Sequence, residues 1–258
     1  MSTRGDTAQQ VAVSWRAIVT EIRLAAAFLT IVPLGGGSAS DAEVTASFGW
    51  FPLIGFILGA MLVGADYLLA FFTTSAVRST LLVLALTAIT GAVHLDGLAD
   101  TADALGAGRD RARALEILRD SRIGTFGAVA IFFALALKVA AIASAEHSRW
   151  MALYLAPGLA RWAMVAVAYR LTYLREHGAG SGLLSAEAGS NVQVATVIAL
   201  VALLPAGSVP ALCGVVVALI LVWMLRRFYA RWLGGITGDP LGAAGEIVET
   251  AILIALTR

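Results

Sequence analysis

Long apolar runs separated by short polar segments extend over most of the chain. A membrane-spanning helix needs about 20 mostly apolar residues, and seven runs approach that length. Between residues 191 and 225 the alternatives are a re-entrant pair or one long bent helix, because Pro205 and Pro210 bracket the turn. The pattern predicts an all-α, polytopic integral membrane bundle of about seven transmembrane helices. The predicted spans are 51–72, 81–95, 127–144, 150–171, 192–206, 211–225 and 242–256.

The N-terminal stretch shows a different pattern. Residues 11–33 are apolar but are interrupted by charged residues such as Arg16 and Arg23. This suits an amphipathic helix lying in the membrane interface better than a span, and the stretch lacks the order of a cleavable signal peptide. We therefore divide the chain into an N-terminal interfacial segment, 1–50, and a transmembrane catalytic domain, 51–258.

Composition and charge agree with a membrane protein. The 258 residues are 59% hydrophobic and 14% charged, whereas soluble domains average roughly 25% charged residues. The net charge of +1 offers no bulk attraction to nucleic acid, so we expect no such partner. Cys213 is the single cysteine, which excludes a disulfide framework and a cysteine zinc site. The 26 glycines suit close helix packing inside a bilayer.

The distribution of cations predicts the orientation. With the N-terminus in the cytoplasm, 13 of the 18 cations fall on the inner side and three on the outer side, as the positive-inside rule requires. We therefore expect a multi-pass protein of a bacterial cytoplasmic (inner) membrane, with the lipid bilayer as its partner and the active site at the cytoplasmic face. The sequence is compatible with a homo-oligomer.

The densest polar cluster is the segment 94–103, where an apolar run ends in three carboxylates. Asp96, Asp100 and Asp103 are spaced i, i+4 and i+7, so they share one face of a helix. Like charges on one stripe repel unless a cation lies among them, and Mg²⁺ prefers carboxylate oxygens. The alternative to a metal site is that these aspartates lie in a solvated first turn of the helix, where the helix dipole favours negative charge. His94 could be a ligand or a base, although such a histidine is more often a packing residue.

A second acidic cluster opens the last predicted span. Asp239 is expected at the helix N-cap with Pro240 at the first helical position. Glu246 and Glu249 lie inside an apolar helix, where ionised carboxylates are costly and mark function. In the predicted topology both clusters reach the cytoplasmic interface and could share one site. The predicted metal ligands are Asp96, Asp100, Asp103, Asp239, Glu246 and Glu249.

The segment 114–127, between the two clusters, is rich in arginine. It is predicted as a short amphipathic helix ending in a turn punctuated by glycine, whose cations, hydroxyls and backbone amides suit oxyanions. A purely topogenic basic loop is the equal alternative. The predicted substrate- and phosphate-binding residues are Arg119, Ser121, Arg122, Thr125, Thr237 and Arg161.

Three charged residues fall within or near the apolar runs. Arg161 lies inside a predicted span and must find a carboxylate or a water-filled cavity. Lys138 and Asp66 lie nearer to span ends, where we expect their side chains to snorkel to the interface.

Four segments together resemble the adenosylcobinamide-GDP ribazoletransferase family, also called cobalamin synthases. They are residues 51–55, 94–103, 119–127 and 235–249, and the resemblance extends from about Leu24 to the C-terminus. The family usually continues its first acidic motif as Asp-Gly, whereas Ala104 follows Asp103 here. Residues 175–184 are a loose version of the family's glycine-rich loop.

The resemblance implies the last assembly step of the adenosylcobalamin nucleotide loop. A hydroxyl of α-ribazole, or of its 5′-phosphate, attacks the cobinamide-bound phosphorus of adenosylcobinamide-GDP, and GMP leaves. The residues themselves support the general part of this, which is Mg²⁺-assisted phosphoryl transfer at a membrane surface. Asp96, Asp100, Asp103 and His94 are the predicted catalytic residues.

Two other functional classes are alternatives. CDP-alcohol phosphotransferases also carry aspartates on membrane helices, but their motif requires Ala-Arg where this chain has Asp100-Thr101, and its last aspartate is replaced here by Ala114. A divalent-cation transporter would explain Glu246 and Glu249, yet it predicts acidic groups near the middle of the bilayer and internal repeats. Neither fits as well as the transferase.

Overall fold

The computed structural model describes residues 3–34, 39–108, 110–120, 122–145, 147–174 and 188–257, with side chains from Trp15 onward except at residue 188. These ranges fold almost entirely into helices and contain a single β-bridge, between Tyr173 and Ile236. The helices are α1 Thr3–Leu29, α2 Asp41–Ser47, α3 Phe51–Leu69, α4 Ser75–Ile89, α5 Val93–Leu105, α6 Arg111–Ile117, α7 Thr125–Ser144, α8 Arg149–Ala168, α9 Ala188–Ala202, α10 Val209–Trp232 and α11 Gly238–Ala255.

Several of these helices are long and apolar enough to cross a membrane. Four candidate spans occur among the described residues, the first running through α2 and α3 and the others formed by α7, α8 and α10. A fifth results if the bent pair α4 and α5 is counted as one span. Helix α9 has only 15 residues, and α11 carries three carboxylates. The all-α membrane bundle is confirmed, while the count of about seven spans stays a prediction.

The predicted span 81–95 is wrong, because a sharp break divides it. Helix α4 ends at Ile89, and α5 begins at Val93, after three intervening residues, with its axis turned by 89°. Gly91 and Ala92 in the break both have left-handed backbone conformations, with φ of 61° and 56°. Such residues cannot continue a right-handed helix. The first acidic motif therefore lies on a separate helix.

Helix α1 is longer than the predicted interfacial stretch and is not among the candidate spans. Its Glu21 accepts a 2.8 Å hydrogen bond from the indole nitrogen of Trp50, just before α3. Leu29 and Phe48 belong to the same buried core as α3 and α8. Trp15 is 63% exposed, as expected for a side chain that faces lipid. The boundary at residue 50 stays a prediction.

The centre of the bundle is α8, which packs closely against α3. A Cβ atom on Gly55 would lie 2.4 Å from the carbonyl oxygen of Pro157, and one on Gly59 would lie 2.5 Å from that of Tyr154. Glycine therefore lets the two backbones touch, as small residues do at helix interfaces in membranes.

We expect Gly55→Ala to destabilise the protein by about 1–3 kcal/mol, because the new methyl group overpacks the interface between α3 and α8. Gly64→Ala is the matched control on the same helix, since a Cβ atom there meets nothing within 4 Å. It should be neutral or slightly stabilising through helix propensity. Thermal unfolding of the detergent-solubilised variants measures both effects, and equal melting temperatures would contradict the packing role of Gly55.

Asp66 does not snorkel as predicted. Its carboxylate pairs with Arg149 and with Arg78, each at 2.8 Å, and its side chain is only 13% exposed. Arg149 also donates to Ser79 and, at 2.6 Å, to the carbonyl oxygen of Ile142 near the end of α7. This network fastens α3, α4, α7 and α8 together at the end of the bundle opposite the acidic motifs.

Candidate active site

Two glycines bring α5 and α11 into contact. A Cβ atom on Gly97 would lie 2.7 Å from the carbonyl oxygen of Asp239, and one on Gly242 would lie 3.2 Å from the Cα atom of His94. Because residue 97 meets 239 and residue 94 meets 242, the two helices run antiparallel at this junction. The first acidic motif is thereby held against the N-terminal end of α11, although the two segments lie about 140 residues apart in the chain.

The junction carries three carboxylates on the outside of the bundle. Asp96 is exposed, while Asp100 and Asp239 are half-buried. Asp96 and Asp100 lie on either side of Gly97 in sequence, so the close approach at Gly97 brings this part of α5 to the start of α11. We call Asp96, Asp100 and Asp239 the junction carboxylates.

Asp103 has a structural role. Its carboxylate accepts hydrogen bonds from the backbone amides of Gly124, at 2.7 Å, and Gly127, at 2.9 Å. These amides belong to the first turn of α7, so a side chain of α5 caps α7 and complements its dipole. A Cβ atom on either glycine would lie within 2.5 Å of the Asp103 carboxylate oxygens. The glycines of the 119–127 motif therefore make room for this cap.

Ala104, where the family usually has glycine, is fully buried. Its methyl group packs in a small apolar cluster with Ala114 and Leu118 from the arginine-rich segment and with Leu233 after α10. The alanine therefore helps to hold the arginine-rich segment against α5.

Helix α11 does not begin as predicted. Its N-cap is Thr237 rather than Asp239, so Pro240 occupies the third helical position. A proline is tolerated there because the first amides of a helix have no partner within it. Thr237 makes no capping hydrogen bond, and its hydroxyl is buried without a partner. Just before it, Ile236 pairs with the backbone of the segment after α8, which fixes the start of α11.

Arg111, at the start of α6, lies outside the motifs from which the site was predicted. Its guanidinium carbon lies 3.1 Å from where a Cβ atom of Gly234 would be, and Gly234 has a φ of 70°. Glycine at this turn both adopts the left-handed conformation and leaves space for the arginine. Arg111 therefore lies beside the turn that leads into α11, and only the tertiary contact reveals this.

The predicted phosphate-binding residues of the arginine-rich segment differ in exposure and in their partners. Arg119 and Thr125 are exposed, and Ser121 lies outside the described residues. Arg122 forms a two-pronged ion pair with Asp120, with a shortest distance of 2.6 Å. The hydrogen bonds from Arg122 hold the pKa of Asp120 below its usual range. An incoming anion at Arg122 would thus compete with an acidic neighbour.

Glu246 and Glu249 are part of a buried charge cluster. Lys138 of α7 donates to both of them, each at 2.6 Å, and Arg161 of α8 pairs with Glu249. The prediction that Arg161 needs a carboxylate is confirmed. The expectation that Lys138 snorkels is wrong, since its side chain is 5% exposed. Two cations and two carboxylates balance one another, so the cluster is neutral overall.

His94 borders this buried charge cluster. It is 4% exposed, and its Nε2 atom has no hydrogen-bond partner. It lies within electrostatic range of Arg161 and Glu249. Its backbone is in contact with α11 at Gly242, which agrees with a packing role and leaves its predicted catalytic role untested.

The six predicted metal ligands therefore have different surroundings. Over the described parts of the chain, no group of three or more His, Cys, Asp or Glu side chains is arranged to hold a metal ion. Asp103 serves as a cap, and Glu246 and Glu249 are neutralised by cations. Glu246 is seven residues, or about 10 Å along the helix, from Asp239. Asp96, Asp100 and Asp239 come together at the junction of α5 and α11, and their role as metal ligands stays a prediction.

Comparison with known proteins agrees with the motifs. The family model described as cobalamin-5-phosphate synthase matches residues 21–257. An adenosylcobinamide-GDP ribazoletransferase of Roseiflexus sp. is 38% identical and covers all of this chain and 96% of the relative. Its counterpart in Syntrophobacter fumaroxidans is 42% identical, over 90% of this chain and 95% of the relative.

A third relative, the adenosylcobinamide-GDP ribazoletransferase of Escherichia coli, is 37% identical over 80% of this chain and 85% of its own length. No solved structure shows a significant match to the chain. The family match covers nearly the whole chain, and these relatives are aligned over most of their lengths. The chain therefore belongs to the cobalamin-5-phosphate synthase family.

Proposed function

We propose that this protein is an adenosylcobinamide-GDP ribazoletransferase that joins adenosylcobinamide-GDP to α-ribazole or α-ribazole 5′-phosphate and releases GMP. The observation that carries the proposal is the junction of α5 and α11, where Gly97 contacts Asp239 at one end of a membrane bundle. Family membership and the names of the relatives support the same reaction. The CDP-alcohol phosphotransferase and transporter alternatives are not favoured.

The reaction exchanges the phosphoanhydride bond of the diphosphate for a phosphate ester bond. The attacking hydroxyl of α-ribazole forms a bond to the cobinamide-linked phosphorus and loses its proton, while the bond from that phosphorus to the oxygen of the departing GMP breaks. Negative charge develops on the leaving phosphate, so catalysis rests mainly on positioning and charge stabilisation.

The junction carboxylates suit Mg²⁺ by their chemistry and exposure, since hard oxygen donors at a surface are what this ion binds. Asp96, Asp100 and Asp239 would hold it, and the ion would neutralise charge on the diphosphate. Glu246 and Glu249 do not suit this role, because Lys138 and Arg161 already compensate them. Asp103 contributes by holding α5 against the start of α7.

The remaining charges of the diphosphate require cations and amides of the protein. The first amides of α11 follow Thr237, whose hydroxyl lacks a partner, and helix N-termini favour phosphate. Arg111 lies beside the turn that precedes Thr237, and Arg119 is exposed in the neighbouring segment. These groups would orient the diphosphate at the junction.

The proposed location is a bacterial cytoplasmic membrane with the junction and the N-terminus on the cytoplasmic side. Asp103 of α5 contacts the start of α7, so the start of α7 lies at the junction end of the bundle. The chain that follows α1 lies near the end of α4, because the backbone amide of Ile31 donates a hydrogen bond to the carbonyl oxygen of Ile89. Arg111 at the start of α6 and Arg119 of the arginine-rich segment lie at this end, in agreement with the positive-inside rule.

The direct test uses the full chain, solubilised in detergent, with adenosylcobinamide-GDP, α-ribazole 5′-phosphate and Mg²⁺. Mass spectrometry should detect adenosylcobalamin 5′-phosphate and an equal amount of GMP. Omitting either substrate should abolish both products, and EDTA should do the same if Mg²⁺ is required. Absence of the nucleotide-loop product with a folded protein would contradict the proposal and return the transporter to consideration.

A further inference from the structure

Four arginines gather where α8 and α10 end, at the same end of the bundle as the start of α11. None of them forms an ion pair with an Asp or Glu in the parts of the chain that the structure describes. Cations that are close together without acids between them create a positive potential that attracts anions. We call these residues the basic cluster: Arg170, Arg226, Arg227 and Arg231.

Aromatic rings lie beneath three guanidinium groups of the basic cluster. The guanidinium carbon of Arg227 lies 4.4 Å from the centre of the Trp223 ring. Those of Arg170 and Arg226 lie 5.0 Å and 5.7 Å from the centre of the Tyr169 ring. The N–H donors of a guanidinium lie in its plane, so contact with the face of a ring does not use them. Phosphate oxygens are acceptors that fit this planar set of donors.

Arg227 and Arg231 lie on the outward face of α10. Tyr229, midway between them in sequence, is buried in the bundle. Two residues correspond to about 200° of rotation about a helix axis, so both arginines point away from the face that packs against α8 and α11. Trp223, Arg227 and Arg231 follow one another at intervals of four residues and therefore form one stripe. All three are exposed.

The stripe lies where a candidate membrane span ends. Helix α10 runs from Val209 to Trp232, and only 22% of its apolar segment is buried within the protein, so most of it faces lipid. Trp223 is 56% exposed, and exposed tryptophans are typical of the membrane interface. Phospholipid phosphates are the anions that a lipid-facing cation meets at this level. The soluble substrates are expected instead at the junction, which the stripe faces away from.

We propose that Trp223, Arg227 and Arg231 bind the headgroup of an anionic phospholipid. The two guanidinium groups would donate to its phosphate oxygens, and the tryptophan would hold Arg227 in place at the interface. Arg170 and Arg226 would add to the attraction through their charge. A zwitterionic lipid carries a cation of its own and should bind more weakly. This site is separate from the junction, so it does not depend on the proposed reaction.

Native mass spectrometry of the full-length protein in detergent tests the proposal, with phosphatidylglycerol or phosphatidylcholine added. Wild type should bind phosphatidylglycerol about 5-fold or more tightly than phosphatidylcholine. The double variant Arg227→Gln with Arg231→Gln should lose this preference, and Arg231→Gln alone should lose part of it. Trp223→Leu keeps the span apolar and both charges, so we expect a smaller loss of about 2-fold to 3-fold. Unchanged melting temperatures establish that the variants are folded.

Arg113→Gln with Arg122→Gln is the matched control, because it removes the same charge from two exposed arginines that already pair with acids. It should retain the wild-type preference. Equal binding of the two lipids by wild type, or the same affinities in both double variants, would overturn the proposal. Inorganic phosphate is the competing probe. If it displaces phosphatidylglycerol and sodium chloride of equal ionic strength does not, the cluster binds a soluble phosphate and the lipid assignment is wrong.

Discussion

Replacing Asp96, Asp100 or Asp239 by asparagine, one at a time, is expected to lower the rate of GMP release by about 100-fold or more. Asparagine keeps the size of the side chain and removes the charge that would bind the divalent cation, and the transferred phosphate requires that cation. The rate is measured with purified protein under saturating Mg²⁺, and melting temperatures establish that each variant is folded.

Glu116→Gln is the matched control for these three substitutions. Glu116 is a carboxylate at the same end of the bundle, but it is exposed and pairs with Arg113, and such surface pairs contribute little. Its variant should retain wild-type activity. Wild-type rates in any two of the three junction variants would refute a shared metal site at the junction.

Lys138→Met is expected to produce the largest loss of stability, about 3–5 kcal/mol. Lys138 is the single cation that reaches both Glu246 and Glu249 among the described residues. Removing it leaves an uncompensated carboxylate inside an apolar bundle, which is far more costly than the charge pair itself. Thermal unfolding in detergent, recorded with EDTA present, measures the loss without any contribution from metal.

The double variant Lys138→Met with Glu246→Gln tests whether this loss comes from the unpaired carboxylate. It leaves Glu249 paired with Arg161, so the cluster is again neutral, and part of the lost stability should return. The two substitutions should thus be strongly non-additive, as expected for residues in one network. An unchanged melting temperature in Lys138→Met, or strictly additive effects, would show that Glu246 and Glu249 are not held by this cation.

Asp103 shows what the sequence could and could not predict about the site. The spacing of Asp96, Asp100 and Asp103 predicts one helical face, and these residues do lie on one helix, α5. The spacing cannot show that Asp103 caps another helix, because its partners Gly124 and Gly127 follow it by 21 and 24 residues. The signal that could have suggested it was the pair of glycines in the 119–127 motif.

The fold shows the same limit at α4 and α5. Hydropathy predicts a continuous span from 81 to 95, since apolar residues run up to the first aspartate. The break depends on left-handed conformations at Gly91 and Ala92, and an alanine gives no local signal for such a conformation. Packing of Ile31 against Gly91, with the hydrogen bond from Ile31 to Ile89, stabilises it.

The sequence by itself determined the membrane class, the helical architecture, the motifs and the family, because hydropathy and motif spacing are properties of neighbouring residues. Only the tertiary structure decided which charges compensate one another. Glu246 and Glu249 follow Lys138 by 108 and 111 residues, and the sequence alone presents them as unpaired carboxylates. Whether a buried charge is a ligand or one half of an ion pair depends on distance in space, and folding sets that distance.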